Sequence, residues 1–181
     1  MKFHELDLPG PRLVELEPIQ DERGWFARTW CEREFSEQGI HARWVQSNLS
    51  HNRRRGTLRG LHYQAPPHEE PKLVHCFAGS LYDVIVDLRP GSATFLRWIA
   101  VELAAREGKL LYVPPGFAHG FQVLEDDTSI LYLMGAPHVP AAARGIRWDD
   151  PGLAVRWPLA DPILTERDRT FPDLDPAAVG R

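Results

Sequence analysis

In the stretch G-T-L-R-G-L-H-Y-Q, residues 56–64, a basic Arg59, a titratable His62 and the amide of Gln64 fall within six positions. Alternate side chains of an extended strand share a face, so His62 and Gln64 are expected together with Leu58 and Gly60 on one side. An imidazole on the inside of a barrel takes and returns a proton near neutral pH. On its own, His62 reads equally well as a core histidine bonded to a carbonyl. Further along the chain, Lys72 adds a cation and Tyr132 a phenol. Such a set suits proton abstraction beside a carbonyl. The base removes the α-proton, the cation stabilises the enolate oxygen, and a phenol on the opposite face returns a proton with inverted stereochemistry. Viewed singly, Lys72 reads as a snorkelling surface lysine and Tyr132 as a core aromatic.

A metal would change that chemistry. Residues 108–119, G-K-L-L-Y-V-P-P-G-F-A-H, have the spacing G-x5-P-x-G-x2-H and resemble the second motif of the cupin superfamily, whose histidine usually binds a metal. The partner motif, G-x5-H-x-H, is met by Gly56 and His62, but Gln64 stands at its second ligand position. An amide oxygen is a poor transition-metal ligand beside imidazole, and the ammonium of Lys72 would repel a divalent cation from the same cavity. No metal and no other cofactor is expected.

The elements that must position these groups follow from composition and turn signals. At 181 residues the chain is expected to form one domain with a full core. A net charge of −4 excludes a global basic field for nucleic acid or an anionic membrane. The opening M-K-F-H-E-L has no apolar run, and no later segment approaches the roughly 18 uncharged residues of a membrane span, so a soluble cytoplasmic protein is expected. Cys31 and Cys76 show neither a disulfide framework nor zinc spacing. Residues 12–19 predict a short edge strand ending at Pro18, and a turn at Asp21 to Gly24 leads into a strand with Trp25 and Phe26. Residues 31–39 predict the one convincing helix, closed by Gly39. Gln46, Asn48 and Ser50 then share one strand face, and Arg53, Arg54 and Arg55 read as a solvated loop. Gly79-Ser80 signals a hairpin; residues 94–103, 109–114 and the run S-I-L-Y-L-M with Tyr132 give further strands, and the proline-rich tail predicts irregular packing rather than helix. Short strands at intervals near ten residues indicate an all-β sandwich or barrel, closed into a small jelly roll with room for one small ligand.

In this order, G-T-L-R-G-L-H-Y-Q, P-K-L-V, Y-D-V-I-V-D-L-R, P-P-G-F-A-H-G-F, W-D-D-P and L-T-E-R-D resemble the dTDP-4-keto-6-deoxyglucose 3,5-epimerase family along about nine tenths of the chain. The resemblance implies a cupin-type jelly-roll β-barrel with one short helix and a few C-terminal turns. It implies a homodimeric, metal-independent enzyme that inverts C3 and C5 of a nucleotide-linked 4-keto sugar. By motif, His62 matches the catalytic base, Asp168 its carboxylate partner, Tyr132 the proton donor, Lys72 the lysine near the keto oxygen and His119 a pocket histidine. Arg59, Gln46, Asn48, Arg23 and Phe26 match positions that bind the nucleotide diphosphate and sugar, with the Arg23 strand donated by the other subunit. Guanidinium forks suit diphosphate oxygens. The chain departs from the family at Arg28, usually glutamate, at His138, usually a tyrosine stacked on thymine, at Ala143, usually glutamate, and at Arg167, usually lysine. All four lie on the nucleotide side. Arg28 can only donate where a glutamate would accept, which leaves the base open to one other than thymine.

Overall fold

The computed structural model describes residues 1–179. Strands β1 (Lys2–Glu5), β2 (Arg12–Glu15), β3 (Ile19–Asp21) and β4 (Gly24–Phe26) precede helix α1 (Glu32–Glu37). They are followed by β5 (Gln46–Asn52), β6 (Leu58–Gln64), β7 (Lys72–Ala78), β8 (Ser80–Asp87) and β9 (Trp98–Ala104). Then come β10 (Lys109–Val113), β11 (Phe117–Val123), β12 (Thr128–Met134), β13 (Ala143–Gly145) and a second helix, α2 (Glu166–Arg169). A six-stranded sheet runs β1-β2-β10-β7-β12-β5 and a five-stranded sheet runs β13-β6-β11-β8-β9. From β5 onward the chain passes repeatedly between the two, as a jelly roll does.

The inner faces meet in a dry core. Val74, Ile85, Leu103, Leu111, Val123 and Ile130 are fully buried between the sheets. Each such side chain contributes about 1.5–3 kcal/mol of burial. Inward residues are odd on β8 and β11 and even on β7 and β12, so at the open end of the same rows Lys72, His119 and Tyr132 face the interior. Helix α1 closes the outer side of the six-stranded sheet. Its Phe35 is 1% exposed and meets Phe3 edge-on at 5.0 Å between centroids.

Four expectations are corrected here. Gly79-Ser80 is not a hairpin, because β7 and β8 belong to different sheets and Gly79 carries the chain across between them. At φ +74 it has no room for a side chain, since a Cβ would collide with Thr128. Strand β2 is not an edge, because β1 pairs alongside it from Lys2↔Glu15 to Glu5↔Arg12. The strand expected over 94–103 starts only at Trp98, after turns in which Ser92 and Thr94 donate to Asp87. Finally, the tail is not wholly irregular, and the described residues hold two α-helices rather than one. Thr165 caps α2 by accepting from the Asp168 N–H at 3.2 Å. Among the described residues no helix is long and apolar enough to cross a membrane.

Candidate active site

The inner ends of β5, β6, β7, β11 and β12 surround a cleft of about 690 Å³. A register shift in β6 shapes it. Arg59 lies opposite Phe121 and His62 opposite His119, so three steps along β6 match two along β11. The extra residue is a bulge, and it flips side-chain parity. Arg59 and His62 therefore both line the cleft, whereas Leu58 and Gly60, expected beside His62, do not. Glycine is required at the bulge, since a Cβ on Gly60 would stand 2.5 Å from Gly120 Cα.

His62 is held from the tail. Its Nε2 lies 2.8 Å from Asp168 Oδ1, and the Gly60 N–H donates to Asp168 Oδ2 at 3.3 Å. Burial alone would push the Asp168 carboxyl up, but the His62 and Gly60 bonds outweigh it and leave the pKa below the usual carboxylate value. An ionised carboxylate only accepts, so Nε2 carries the hydrogen and the lone pair stays on Nδ1. Phe171 steadies the ring from the side, edge-on at 6.0 Å, while Arg167 lies 5.6 Å over the same phenyl group. The imidazole is 39% exposed, more open than its expected place in a shielded interior.

Across the cleft, Tyr132 on β12 lies opposite Asn48 on β5. Its ring meets His119 edge-on at 6.2 Å. Burial, helped by the nearby charge of Asp83, pushes the phenol well above its usual range, so it stays protonated. His119 Nε2 is hydrogen-bonded to the fully buried Asp83. Arg59 Nε donates to Asn52 Oδ1 at 2.8 Å, which holds its guanidinium at the rim.

Lys72 also lines the cleft, paired with Glu70 at 3.1 Å. Gln64 does not share it with His62. Its amide donates to the His68 and Pro137 carbonyls and to Glu70 Oε2, and accepts from the Val139 N–H. The position that would be a cupin ligand thus ties two loops together. Among the described residues no group of three or more His, Cys, Asp or Glu is placed to hold a metal.

Of the residues named from sequence, His62, Asp168, Tyr132, Lys72, Asn48, Arg59, His119, His138 and Arg167 converge on this one cleft. Gln46 stands behind it, accepting from the His138 N–H and donating to Asn48. Arg23 and Phe26 are not in it. They sit on the β3–β4 hairpin, where Arg23 pairs with Asp21 at 2.5 Å and Phe26 is 72% exposed. Arg28 is also outside, donating to Glu34 at 2.8 Å. Sequence reading missed Glu70 and Arg144, which line the cleft, and Phe171. The E-P-K run next to Lys72 was the available signal for Glu70; none marked the other two.

The model of the dTDP-4-dehydrorhamnose 3,5-epimerase family matches residues 5–176. A dTDP-4-dehydrorhamnose 3,5-epimerase of Pseudomonas aeruginosa is 41% identical over 180 residues, covering 97% of this chain and 98% of the relative. The crystal structure of a dTDP-4-dehydrorhamnose 3,5-epimerase from Bacillus anthracis, with TDP and pyrophosphate bound, superposes with a TM-score of 0.93 at 37% identity, covering 96% of this chain and 99% of that one. ChmJ, a 3'-monoepimerase from Streptomyces bikiniensis in complex with dTDP-quinovose, is similar at a TM-score of 0.87 and 32% identity, over 94% of this chain and 86% of its own. Sequence and fold therefore agree with the motifs converging on the cleft, and the chain belongs to the dTDP-4-dehydrorhamnose 3,5-epimerase family.

Proposed function

We propose that the chain inverts C3 and C5 of a dTDP-linked 4-keto-6-deoxyhexose. The observation that carries this reading is the His62–Asp168 pair at 2.8 Å, opening on the same cleft as Tyr132 and Lys72. His62 takes the proton from carbon beside the ketone, and Asp168, held as an anion, steadies the imidazolium that forms. Lys72 meets the charge that develops on the keto oxygen. Tyr132 returns a proton from across the ring, a role its raised pKa suits because the phenol is intact at neutral pH. Arg59, Arg167, Asn48 and Gln46 serve the diphosphate and nucleoside, for which planar guanidinium groups are well matched. No metal or other cofactor takes part in this scheme.

A proton NMR time course in heavy water with dTDP-4-keto-6-deoxyglucose tests the reading. Deuterium is expected at C3 and C5 together with the inverted product. Binding without exchange would make the protein a non-catalytic sugar-nucleotide barrel. One variant of the reading, suggested by the similarity to a 3'-monoepimerase, is inversion at C3 alone, and deuterium at C3 only would identify it. Calorimetry with dTDP, GDP, CDP and UDP reads the base, and the bound TDP and dTDP-sugar of the similar structures support dTDP as the tightest of the four.

The β3–β4 hairpin supports a homodimer in which this segment, with Arg23, completes the partner's site. Ile19, Trp25 and Phe26 on it are 72%, 64% and 72% exposed, and such an apolar cluster calls for cover. Light scattering is expected to give twice the chain mass, and Arg23→Ala to weaken substrate binding without altering that mass.

A further inference from the structure

Glu70 and Lys72 form an ion pair almost wholly withdrawn from water, with side chains 10% and 8% exposed. Both line the cleft. Burying two charges is costly unless their partners are well placed, so the arrangement of this carboxylate bears on how the ammonium is held. Its two oxygens meet two different donors. Oε1 lies 3.1 Å from Lys72 Nζ, and Oε2 accepts from Gln64 Nε2 at 2.8 Å. The same Gln64 amide donates to the Pro137 carbonyl and accepts from the Val139 N–H at 2.6 Å, so it also grips the strap that carries His138. Lys72 has three N–H donors on a flexible stem, and one engaged by Glu70 leaves two for a ligand oxygen.

We propose that Glu70 is the positioning residue of Lys72, fixing the ammonium for the keto oxygen and joining it, through Gln64, to the strap that carries His138. This rests on the epimerase reading above. The geometry demands a carboxylate in particular. A carboxylate offers an acceptor to both Lys72 and Gln64, whereas an amide of the same shape must turn its own N–H₂ toward one of them. Glu70→Gln therefore leaves volume unchanged and breaks the arrangement. Because Lys72 acts on charge that develops after binding, the loss falls on kcat rather than KM.

The test is a double-variant cycle on exchange of the substrate's ring protons with heavy water, using wild type, Glu70→Gln, Lys72→Met and the pair. Glu70→Gln is expected to lower kcat about tenfold or more, with KM changed less than about threefold. In the Lys72→Met background the same change is expected to cost less than about twofold, because the residue it positions is gone. Thermal midpoints run in parallel, and Glu70→Asp, which keeps both acceptors, is expected to recover part of the kcat. A Glu70→Gln enzyme with kcat within twofold of wild type, or losses that multiply in the double variant, overturns the proposal while leaving the epimerase reading intact. Absence of exchange in the wild type itself overturns both.

Discussion

Arg59 and His62 face one cleft although three positions separate them on a strand, because Gly60 and Leu61 occupy the span that Gly120 alone fills on β11. The putting together of a guanidinium and an imidazole is thus the work of a bulge, and it depends on two glycines in contact. A Cβ on Gly60 would lie 2.5 Å from Gly120 Cα, at a φ of +131. Gly60→Ala is expected to destabilise the fold by about 3 kcal/mol and to displace both side chains. Urea unfolding checks this, and a midpoint equal to that of wild type would contradict it.

Asp168→Asn keeps the shape of the tail but offers His62 a donor as well as an acceptor, which permits the wrong tautomer. A loss of about 10²–10⁴ in kcat/KM is expected, with little change in fold. The pH dependence has a definite sign. Because the folded pKa of Asp168 is lowered, its contribution to stability is present above the usual carboxylate range and is lost as pH falls through the folded value. Wild type minus Asp168→Asn unfolding free energy should therefore shrink on acidification, and a difference that grows instead would refute the assignment.

Tyr132 is pushed upward by burial and by Asp83, so it should resist ionisation when ordinary phenols titrate, near pH 10. Ultraviolet titration of wild type against Tyr132→Phe is expected to give the same tyrosinate absorbance up to that pH. The variant should still exchange the substrate's ring proton yet yield little inverted product. Full inversion by Tyr132→Phe would remove the residue from the mechanism.

Asp87 concerns stability rather than catalysis. It is fully buried and accepts from Arg89, Ser92 and Thr94, with the Arg89 N–H among the donors. Burial alone would raise its pKa, but these donors hold it well below the usual range. Its stabilisation is thus complete above that range and fades only as pH falls toward the much lower folded value. Asp87→Asn should lose about 3 kcal/mol at neutral pH and show a flatter acid dependence. Calorimetric melts across pH decide it, and a variant as stable as wild type at pH 7 would contradict the network's role.

Much of this was legible from residue types. Apolar runs around Val74, Ile85 and Ile130 announce strands, and the L-T-E-R-D run, through its family resemblance, flags Asp168, which lies 106 positions from His62. Long-range placement was not legible. A glycine between two apolar runs looks alike whether it turns a hairpin or, as at Gly79, carries the chain to the opposite sheet, because only the partner strands differ. Strand periodicity likewise fails at Gly60, where one inserted residue reverses every later face. Gln64 was expected in the cavity by alternation, but its amide found four partners in loops that sequence gives no means of positioning. The tail's four-residue helix is too short for a periodic signal, yet its cap on Thr165 aims Asp168.

The central claim is that His62 removes a proton from carbon beside a ketone. Proton NMR of dTDP-4-keto-6-deoxyglucose in heavy water, with wild type and His62→Ala side by side, measures that step directly. Wild type should wash deuterium into the ring carbons flanking the ketone, and His62→Ala, folded and still able to bind dTDP, should leave every ring proton in place over the same hours. Exchange by the alanine variant at the wild-type rate would contradict the account.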